Sequence, residues 1–531
     1  MSGGQEVSSE ISRRAAAGSA WLLLEMCGLQ GLSLVFFIVL ARMLTPNDFG
    51  VVSISFIMIQ AFRLLIQDRI PEAIAAKSSA SPSDWTTAFW LSAGAGAVSA
   101  LSLIAAAGLI EGLFRMPGLA PVLRAMSGVV FAFGLCRTHE AWLARNFQFR
   151  ALAIRGICGS LVGGVVGILW AAFRGGIYAL VVQQVVGTLV SLLLLWLTCP
   201  WRPDLHLNKT ARNEIVSHGL NTMAGGLVSL ANQTCDTFLV ALYFGPGAAG
   251  LYNIAKRLRL SLQLVAVTPI SGVVLPAIAA SKAIPEQKRQ IVRRAYTQMS
   301  LFCSPVFLGA MFVSGAAIPA FFGERWAAAV PIFAALAAGG LGQALQACTD
   351  AVFITHARPR WMAYISVVET ALAVCGFAVL APLLGPAGVG IAFAAPLAIS
   401  VPLGASLAMR LVGFSVREWG RMVSPGLLAG LLMLLGLELL SPLLSGFSVP
   451  ARLAASVASG ALLFPLFLCV VNRPAFRNMA EFVRSLFVRP LFVKPPFVPS
   501  PLQGRAKVLS PLRDRLGLRR MRGAKQRCRS T

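Results

Sequence analysis

Residues 41–50 read ARMLTPNDFG, and residues 241–250, which lie 200 positions later, read ALYFGPGAAG. Both stretches place a Pro–x–x–x–Gly turn between two long apolar segments. Further along, Pro121-Val-Leu is matched by Pro331-Ile-Phe, 210 positions later. Matches in the same order predict an internal repeat with six spans in each copy. Because six is even, both copies enter the membrane from the same side, as parallel repeats with a cavity between two lobes.

The composition is that of an integral membrane protein. Of the 531 residues, 57% are hydrophobic and 12% are charged, against about 45–50% and about 25% in soluble domains. The apolar residues fall in windows of about 18–25 residues, long enough for a helix to cross a hydrocarbon core of about 30 Å. We therefore predict an all-α integral membrane protein with about 14 transmembrane helices, and we exclude a soluble multidomain protein.

The predicted order is an N-terminal segment, two pseudo-symmetric six-helix lobes, two extra C-terminal helices and a tail. The boundaries are residues 1–17 for the N-terminal segment, 18–198 for the N-lobe, 213–411 for the C-lobe, 422–471 for helices 13 and 14, and 472–531 for the tail. The first apolar segment, Gly18 to Met43, is too long for a signal-peptide core and is interpreted as a retained span. The fourth span (121–144) and the seventh (213–243) are the most polar.

Lys and Arg are distributed unequally between alternate connections. The connections on one side hold 20 of them, and those on the other side hold 5. The positive-inside rule places the richer side in the cytoplasm. Both termini are therefore predicted to be cytoplasmic, and the turn at Gly245–Gly250 is predicted to be periplasmic.

The formal net charge of +26 could suggest a nucleic-acid partner, but half of it comes from the tail. Residues 472–531 hold 15 Lys and Arg against 2 Asp and Glu. This basic, Pro-rich composition predicts a disordered segment attracted to anionic membrane lipid, with docking to a protein partner as the alternative. No nucleic-acid binding is predicted.

Polar and charged side chains recur on one face of several predicted spans, where they are costly unless they face an interior. Arg and Lys match phosphate oxygens, so cations converging from the two lobes would form a cavity for an anionic ligand. The alternative is that Lys256, Arg257 and Arg259 snorkel to the membrane interface. The predicted substrate-binding set comprises Gln60, Arg63, Asn253, Lys256, Arg259 and Gln263.

Acids within the predicted spans are sparse, which makes them candidates for ion coupling: Glu25, Asp68, Asp236 and Asp350. A protonatable carboxyl group is the simplest link between an ion gradient and lobe movement. The alternative is that these acids only pair with the cations. The scattered cysteines include no CxxC pair and are accompanied by no His cluster, so neither a disulfide framework nor a zinc site is predicted. No catalytic residue, cofactor or metal is predicted.

The sequence resembles the Wzx-type polysaccharide flippases of the multidrug/oligosaccharidyl-lipid/polysaccharide superfamily over about residues 15–410. The stretches that carry the resemblance are LARMLTPNDFG (40–50), LARNFQFRALA (143–153), ALVVQQVVG (179–187), NQTCDTFLVALYFGPGAAGLYNIAKRL (232–258) and FFGERWAAAVPIF (321–333). The resemblance implies two six-helix bundles and alternating access. It also implies that undecaprenyl-diphosphate-linked oligosaccharide units are exported across the bacterial inner membrane for surface polysaccharide, such as lipopolysaccharide O-antigen, capsule or exopolysaccharide. The polysaccharide polymerase or chain-length machinery would be the partner for the tail.

Two other classes of transporter would require different sequence features. An ABC exporter needs a GxxxxGK[ST] loop, and this chain contains no Gly-Lys pair. A drug/cation antiporter of the same superfamily is the stronger alternative, because a fold alone does not determine a function. An acidic cavity would favour the antiporter, whereas the predicted cations favour an anionic substrate.

Overall fold

The structure is a computed structural model that describes residues 21, 24–26, 28–63, 70, 74, 77, 80–205, 207–281, 285–444, 446–477 and 479–480. The described residues form α-helices and connecting turns, without a β-strand among them. The helices are α1 (Leu24–Met43), α2 (Pro46–Phe62), α3 (Pro82–Phe114), α4 (Leu119–Arg145), α5 (Phe149–Phe173), α6 (Tyr178–Thr198), α7 (Lys209–Ala266), α8 (Thr268–Ala280), α9 (Pro285–Phe322), α10 (Ala329–Thr355), α11 (Pro359–Ala394), α12 (Leu397–Val412), α13 (Val416–Leu444) and α14 (Val449–Val471).

Within the described residues, 12 segments are long and apolar enough to cross a membrane. The prediction of an all-α membrane protein is confirmed, and the polar fourth span is among these segments. One segment, Gln233–Ala266, takes in parts of the seventh and eighth predicted spans. The second predicted span (50–76) continues beyond α2 into residues outside the described part of the chain. The count of 14 therefore stays a prediction.

The starts of α2 and α3 are fixed by the same local chemistry. The Thr45 side chain accepts a hydrogen bond from the Asp48 backbone N–H, and the Asp48 carboxylate accepts one from the Thr45 N–H. Ser81 and Asp84 repeat this capping box at α3. In each case proline occupies the first helical turn, where its missing N–H costs nothing.

Helix α7 has 58 residues and is broken at Gly245, where φ is 76°. Only glycine adopts this conformation without strain. The break gives α7 a first arm (209–244) and a second arm (246–266), and it lies where the sequence predicted a turn. The side of the membrane on which the break lies stays a prediction.

The backbone repeats itself at the spacing that the sequence predicted for Pro121 and Pro331. Phe147 and Ala357, 210 positions apart, have φ values of 56° and 55° after α4 and α10. Gly175 and Gly385, also 210 apart, have φ values of 67° and 60°. These paired conformations support the internal repeat. The division into an N-lobe (18–198) and a C-lobe (213–411) stays a prediction.

The two Pro–x–x–x–Gly turns cross each other reciprocally where α2 packs along α7. A Cβ atom added to Gly50 would lie 1.8 Å from the carbonyl oxygen of Pro246, and one added to Gly250 would lie 1.9 Å from that of Pro46. The two backbones are therefore in direct contact, and both positions require glycine. We call this region of the molecule the proline end.

Two arginines close the proline end by binding backbone carbonyl groups across the repeat. Arg325, in the turn after α9, donates to the carbonyl oxygens of Leu44 and Arg42, at 3.1 and 3.0 Å. In return, Arg42 donates through Nε to the carbonyl oxygen of Phe321, at 2.7 Å. Each guanidinium thus caps the C-terminus of a helix in the other repeat, where carbonyl groups lack helical partners and carry partial negative charge.

The last two helices are attached to the second repeat through a core of their own. Helices α13 and α14 pack against α9, with Leu301, Met433 and Phe464 among the buried residues of this cluster. The N-terminal segment (1–17) lies outside the described residues. So does the predicted tail (472–531) beyond residue 480.

Candidate functional site

A cavity of about 850 Å³ lies between α1, α2, both arms of α7, α6, α10 and α11. Its lining follows the internal repeat, because positions 200 apart in sequence face the same space. Seven such pairs line the cavity: Ser33 and Gln233, Phe37 and Thr237, Val52 and Tyr252, Ser53 and Asn253, Phe56 and Lys256, Ile57 and Arg257, and Gln60 and Leu260.

The two repeats contribute chemically different surfaces to this cavity. We call the lining residues of α1 and α2 the N-wall and those of α7 the C-wall. The N-wall members of the seven pairs carry no charge, and four of them are apolar. The C-wall carries the cations Lys256, Arg257 and Arg259 together with Asp236. The cavity is therefore uncharged on one side and charged on the other.

Lys256 has its hydrogen-bonding capacity filled within the C-wall. Its ammonium group donates to the Asp236 carboxylate at 2.7 Å, to the Gln233 carbonyl oxygen at 2.6 Å and to the Thr237 hydroxyl at 3.3 Å. An ammonium group has three donors, so none is left over. Asp236 also accepts from the Tyr252 hydroxyl at 2.9 Å. These contacts join the two arms of α7 across the break.

Arg257 reaches across the cavity to the N-wall. Its guanidinium donates to the carbonyl oxygen of Ser33 at 3.2 Å and to the Ser33 hydroxyl. The guanidinium carbon also lies 4.2 Å from the centre of the Phe37 ring, in a cation–π contact. Arg257 is therefore a cation bound by neutral groups.

Arg259 is held by a neutral side chain and retains an unused donor. Its guanidinium donates to the amide oxygen of Gln343, which also accepts from Gln263 at 2.6 Å. The buried Nε of Arg259 has no hydrogen-bond acceptor among the described residues. Within the same part of the chain, no carboxylate lies within salt-bridge distance of Arg257 or Arg259.

The structure brings most of the predicted substrate-binding set to this cavity. Gln60, Asn253, Lys256, Arg259 and Gln263 all line it. Arg63 is not among the lining residues. It is the residue that ends α2, and its guanidinium carbon lies 5.9 Å from the centre of the Phe133 ring. Among the described residues, the cations that line the cavity are those of the C-wall.

Of the acids predicted for ion coupling, only Asp236 lines the cavity. Asp350 accepts a hydrogen bond from Gln346 at 3.3 Å. Glu25 lies on α1 beside Gly156 of α5. Asp68 lies outside the described residues.

Many lining residues lie outside the predicted sets, and three of them matter for the chemistry of the cavity: Phe56, Arg257 and Glu369. The sequence suggested Arg257 only as a cation that snorkels to the membrane interface, and the helical spacing of polar residues offered no reason to choose an apolar Phe56. With Glu369 included, the lining has the three cations and two carboxylates, Asp236 and Glu369, so its formal charge is +1.

A family model described as "Polysaccharide biosynthesis protein" matches residues 39–331, which is more than half of the chain. The chain is 23% identical to the lipopolysaccharide biosynthesis protein WzxC of Escherichia coli (strain K12) over 389 residues, covering 72% of this chain and 78% of that protein. It is also 23% identical to the succinoglycan biosynthesis transport protein ExoT of Rhizobium meliloti (strain 1021) over 317 residues, covering 60% of this chain and 64% of ExoT.

The fold is similar to that of known transporters. The structure of the lipid II flippase MurJ in an inward closed conformation matches with a TM-score of 0.71 at 15% identity, covering 86% of this chain and 99% of that chain. An inward-facing multidrug resistance MATE family transporter of the MOP superfamily matches with a TM-score of 0.54 at 14% identity, covering 76% and 99%. The chain belongs to the polysaccharide biosynthesis protein family, and its predicted resemblance to Wzx-type polysaccharide flippases is confirmed.

Proposed function

We propose that this protein moves a polyprenyl-diphosphate-linked oligosaccharide across the bacterial inner membrane by alternating access, for the synthesis of a surface polysaccharide. The observation that carries this proposal is the charged C-wall of an internal cavity, in which Arg257 and Arg259 line the lumen and form no salt bridge with a carboxylate of the described residues. A buried diphosphate would supply the missing anionic acceptor. Family membership supports a role in polysaccharide synthesis.

The three cations would act in different ways. Arg259 has a free Nε donor, and its planar guanidinium matches phosphate oxygens in a bidentate manner. Arg257 can exchange the neutral acceptors of Ser33 for a charged one. Lys256 is already neutralised by Asp236, so it contributes to the ligand only when Asp236 is protonated or occupied by another cation. Asp236 is therefore the strongest of the candidate residues for ion coupling.

The conformation is consistent with a cavity that opens towards the cytoplasm. The proline end is closed by the glycine crossing and by the two arginine caps. The asymmetry of Lys and Arg assigns that end to the periplasm and both termini to the cytoplasm. Loading would then occur from the cytoplasmic leaflet, and release would require the proline end to open.

A drug/cation antiporter is the alternative, because Asp236 and Glu369 both line the cavity. The formal charge of +1 and the ion pairing of Asp236 favour an anionic ligand instead. If the protein moves an anionic ligand, removal of the arginines should lower its affinity for that ligand. If it is a drug/cation antiporter, their removal should improve the binding of a cation.

The test is complementation of a flippase-deficient strain, with surface polysaccharide and protein abundance measured together. A charge-assisted hydrogen bond typically contributes about 1.5–3 kcal/mol, so Arg257→Ala and Arg259→Ala should each reduce export by roughly tenfold or more. Arg63→Ala is the matched control, because Arg63 does not line the cavity. Normal export by an abundant Arg257→Ala/Arg259→Ala double mutant would contradict the proposal.

A further inference from the structure

The N-wall presents one exposed aromatic ring to a cavity whose opposite side is charged. Phe37 and Phe49 also line the cavity, but they are 4% and 5% exposed and pack edge-to-face on each other, 5.3 Å apart. Phe56 is 40% exposed. The equivalent position of the C-wall is Lys256. The ring of Phe56 is thus a lumen-facing apolar surface within a polar cavity.

An amide lies beside this ring on the same face of α2. Gln60 follows Phe56 by four residues, which is one helical turn. Its side-chain nitrogen donates to the amide oxygen of Gln233 on the C-wall, at 3.3 Å. A carboxamide both donates and accepts hydrogen bonds, so Gln60 can donate to the oxygen of a sugar hydroxyl group or accept from its O–H. The hydrogen bond from Gln60 to Gln233 also links the N-wall to the C-wall.

We propose that Phe56 is a sugar-binding platform, which receives the C–H face of the sugar next to the diphosphate while Gln60 binds that sugar's hydroxyl groups. This inference rests on the proposed function, because the diphosphate held by the C-wall places the sugar. Sugar rings have an apolar C–H face and a polar edge, and the electron-rich face of an aromatic ring attracts the C–H groups. The ligand class is therefore a lipid diphosphate that carries a hexose.

A prenyl chain would be a poorer occupant of the same surface. The groups around Phe56 include the amides of Gln60 and Gln233 and, on the C-wall, the cations. A hydrocarbon chain would cover these groups without satisfying them, and unsatisfied buried polar groups are costly. A sugar satisfies them through its hydroxyl groups while it covers the ring.

The experiment measures the binding of two probes to the purified full-length protein by isothermal titration. The probes are the methyl ester of farnesyl diphosphate, esterified at the terminal phosphate, and farnesyl-diphospho-glucose, which carry the same charge and differ in having a methyl group or a sugar on that phosphate. Wild-type protein should bind the glucosylated probe more tightly. If the contact between the sugar and the aromatic ring contributes about 0.5–1.5 kcal/mol, the affinity for the glucosylated probe should be roughly two- to twelvefold higher. Phe56→Ala and Phe56→Leu should lose this gain and keep their affinity for the methyl ester, whereas Phe56→Tyr should retain both.

The matched control is Phe131→Ala, because Phe131 is also 40% exposed but does not line the cavity. Equal affinity of the wild-type protein for the two probes would overturn the sugar platform and leave the proposed function intact. So would equal losses for both probes in Phe56→Ala, or a Phe56→Leu variant that behaves like the wild-type protein. Binding of neither probe by the wild-type protein would overturn the proposed function and the platform together.

Discussion

The N-wall and the C-wall of the cavity occupy equivalent positions of one internal repeat, yet their side chains have opposite character. Phe56 and Ile57 on the N-wall correspond to Lys256 and Arg257 on the C-wall. The backbones have stayed alike, as the reciprocal crossing of Gly50 and Gly250 shows. The lesson is that a symmetric backbone can carry an asymmetric cavity. Such a cavity fits a ligand with one charged part and one less polar part.

The largest expected effect is a loss of stability when Lys256 is replaced, compared with replacement of Phe56, its counterpart on the N-wall. Lys256→Met leaves Asp236 without its cation in a largely buried site, which typically costs about 3–5 kcal/mol when one partner of a buried ion pair is removed. Adding Asp236→Asn should restore most of the stability, because the uncompensated charge is then gone. Phe56→Met changes an exposed apolar residue and should have little effect. Unfolding of the purified proteins in detergent measures the three variants against the wild-type protein.

The comparison of the two walls would fail if Phe56→Met destabilised the protein as much as Lys256→Met does. It would also fail if Asp236→Asn gave no rescue, because the lysine would then act through packing alone.

The next effect tests the symmetry of the backbone crossing. Gly50→Ala and Gly250→Ala each push a methyl group against a carbonyl group of the other turn. Overpacking costs typically about 1–3 kcal/mol, and a backbone neighbour cannot rotate away. The two variants should therefore lose similar amounts of unfolding free energy and of export. Gly108→Ala is the control, because an added Cβ there meets no atom within 4 Å. Tolerance of one substitution but not the other would show that the crossing is not reciprocal.

A smaller effect distinguishes two arginines that are 210 positions apart. Arg325 caps α1 through the carbonyl oxygens of Arg42 and Leu44. For Arg115, its equivalent after α3, no side-chain hydrogen bond is found within the described part of the chain, and its side chain is exposed. Arg325→Ala should weaken closure of the proline end by about 1 kcal/mol, the upper end for a cation at a helix C-terminus. Arg115→Ala should leave closure unchanged.

The measurement is the distribution of distances between spin labels at Pro117 and Ala327, which are exposed turn residues of the two repeats. Arg325→Ala should increase the population with long distances by about fivefold, which corresponds to about 1 kcal/mol. Identical distributions for Arg325→Ala and wild-type protein would show that the arginine cap does not hold this end closed.

The fold class could be predicted from the sequence because it depends on apolar windows. Helical spacing also chose six substrate-binding candidates, of which five line the cavity. The position of Arg63 could not be predicted in this way. Helical spacing gives the face of a residue but not how far a cavity extends along the helix, and Arg63 lies against Phe133, outside the cavity lining. The Asp236–Lys256 pair was also hidden, because residues 20 apart meet only after α7 folds back at Gly245.

The smallest expected effect is the loss of stability when Lys77 is replaced. Lys77 is a partly exposed lysine with carboxylate partners, and it is compared with the more buried Lys256. Lys77 lies 2.9 Å from the Glu214 carboxylate and 3.3 Å from that of Asp84, and so connects the first repeat to the first arm of α7. The hydrogen bond to Glu214, followed by that to Asp84, raises the pKa of Lys77 above its ordinary value of 10.5.

A raised pKa in the folded state means that the stabilisation by Lys77 is complete below its unfolded pKa and is lost only as the pH rises through the folded value. The unfolding temperature should therefore be independent of this group between about pH 6 and 9. Lys77 and Glu214 are 34% and 56% exposed, so solvent screens their contact, and the buried Asp84 carboxylate keeps its hydrogen bonds from the Ser81 N–H and from Asn208. Lys77→Ala should therefore cost no more than about 1 kcal/mol at neutral pH. A loss of stability in Lys77→Ala as large as that in Lys256→Met would mean that the two lysines contribute equally to stability. Burial would then not determine how much an ion pair contributes.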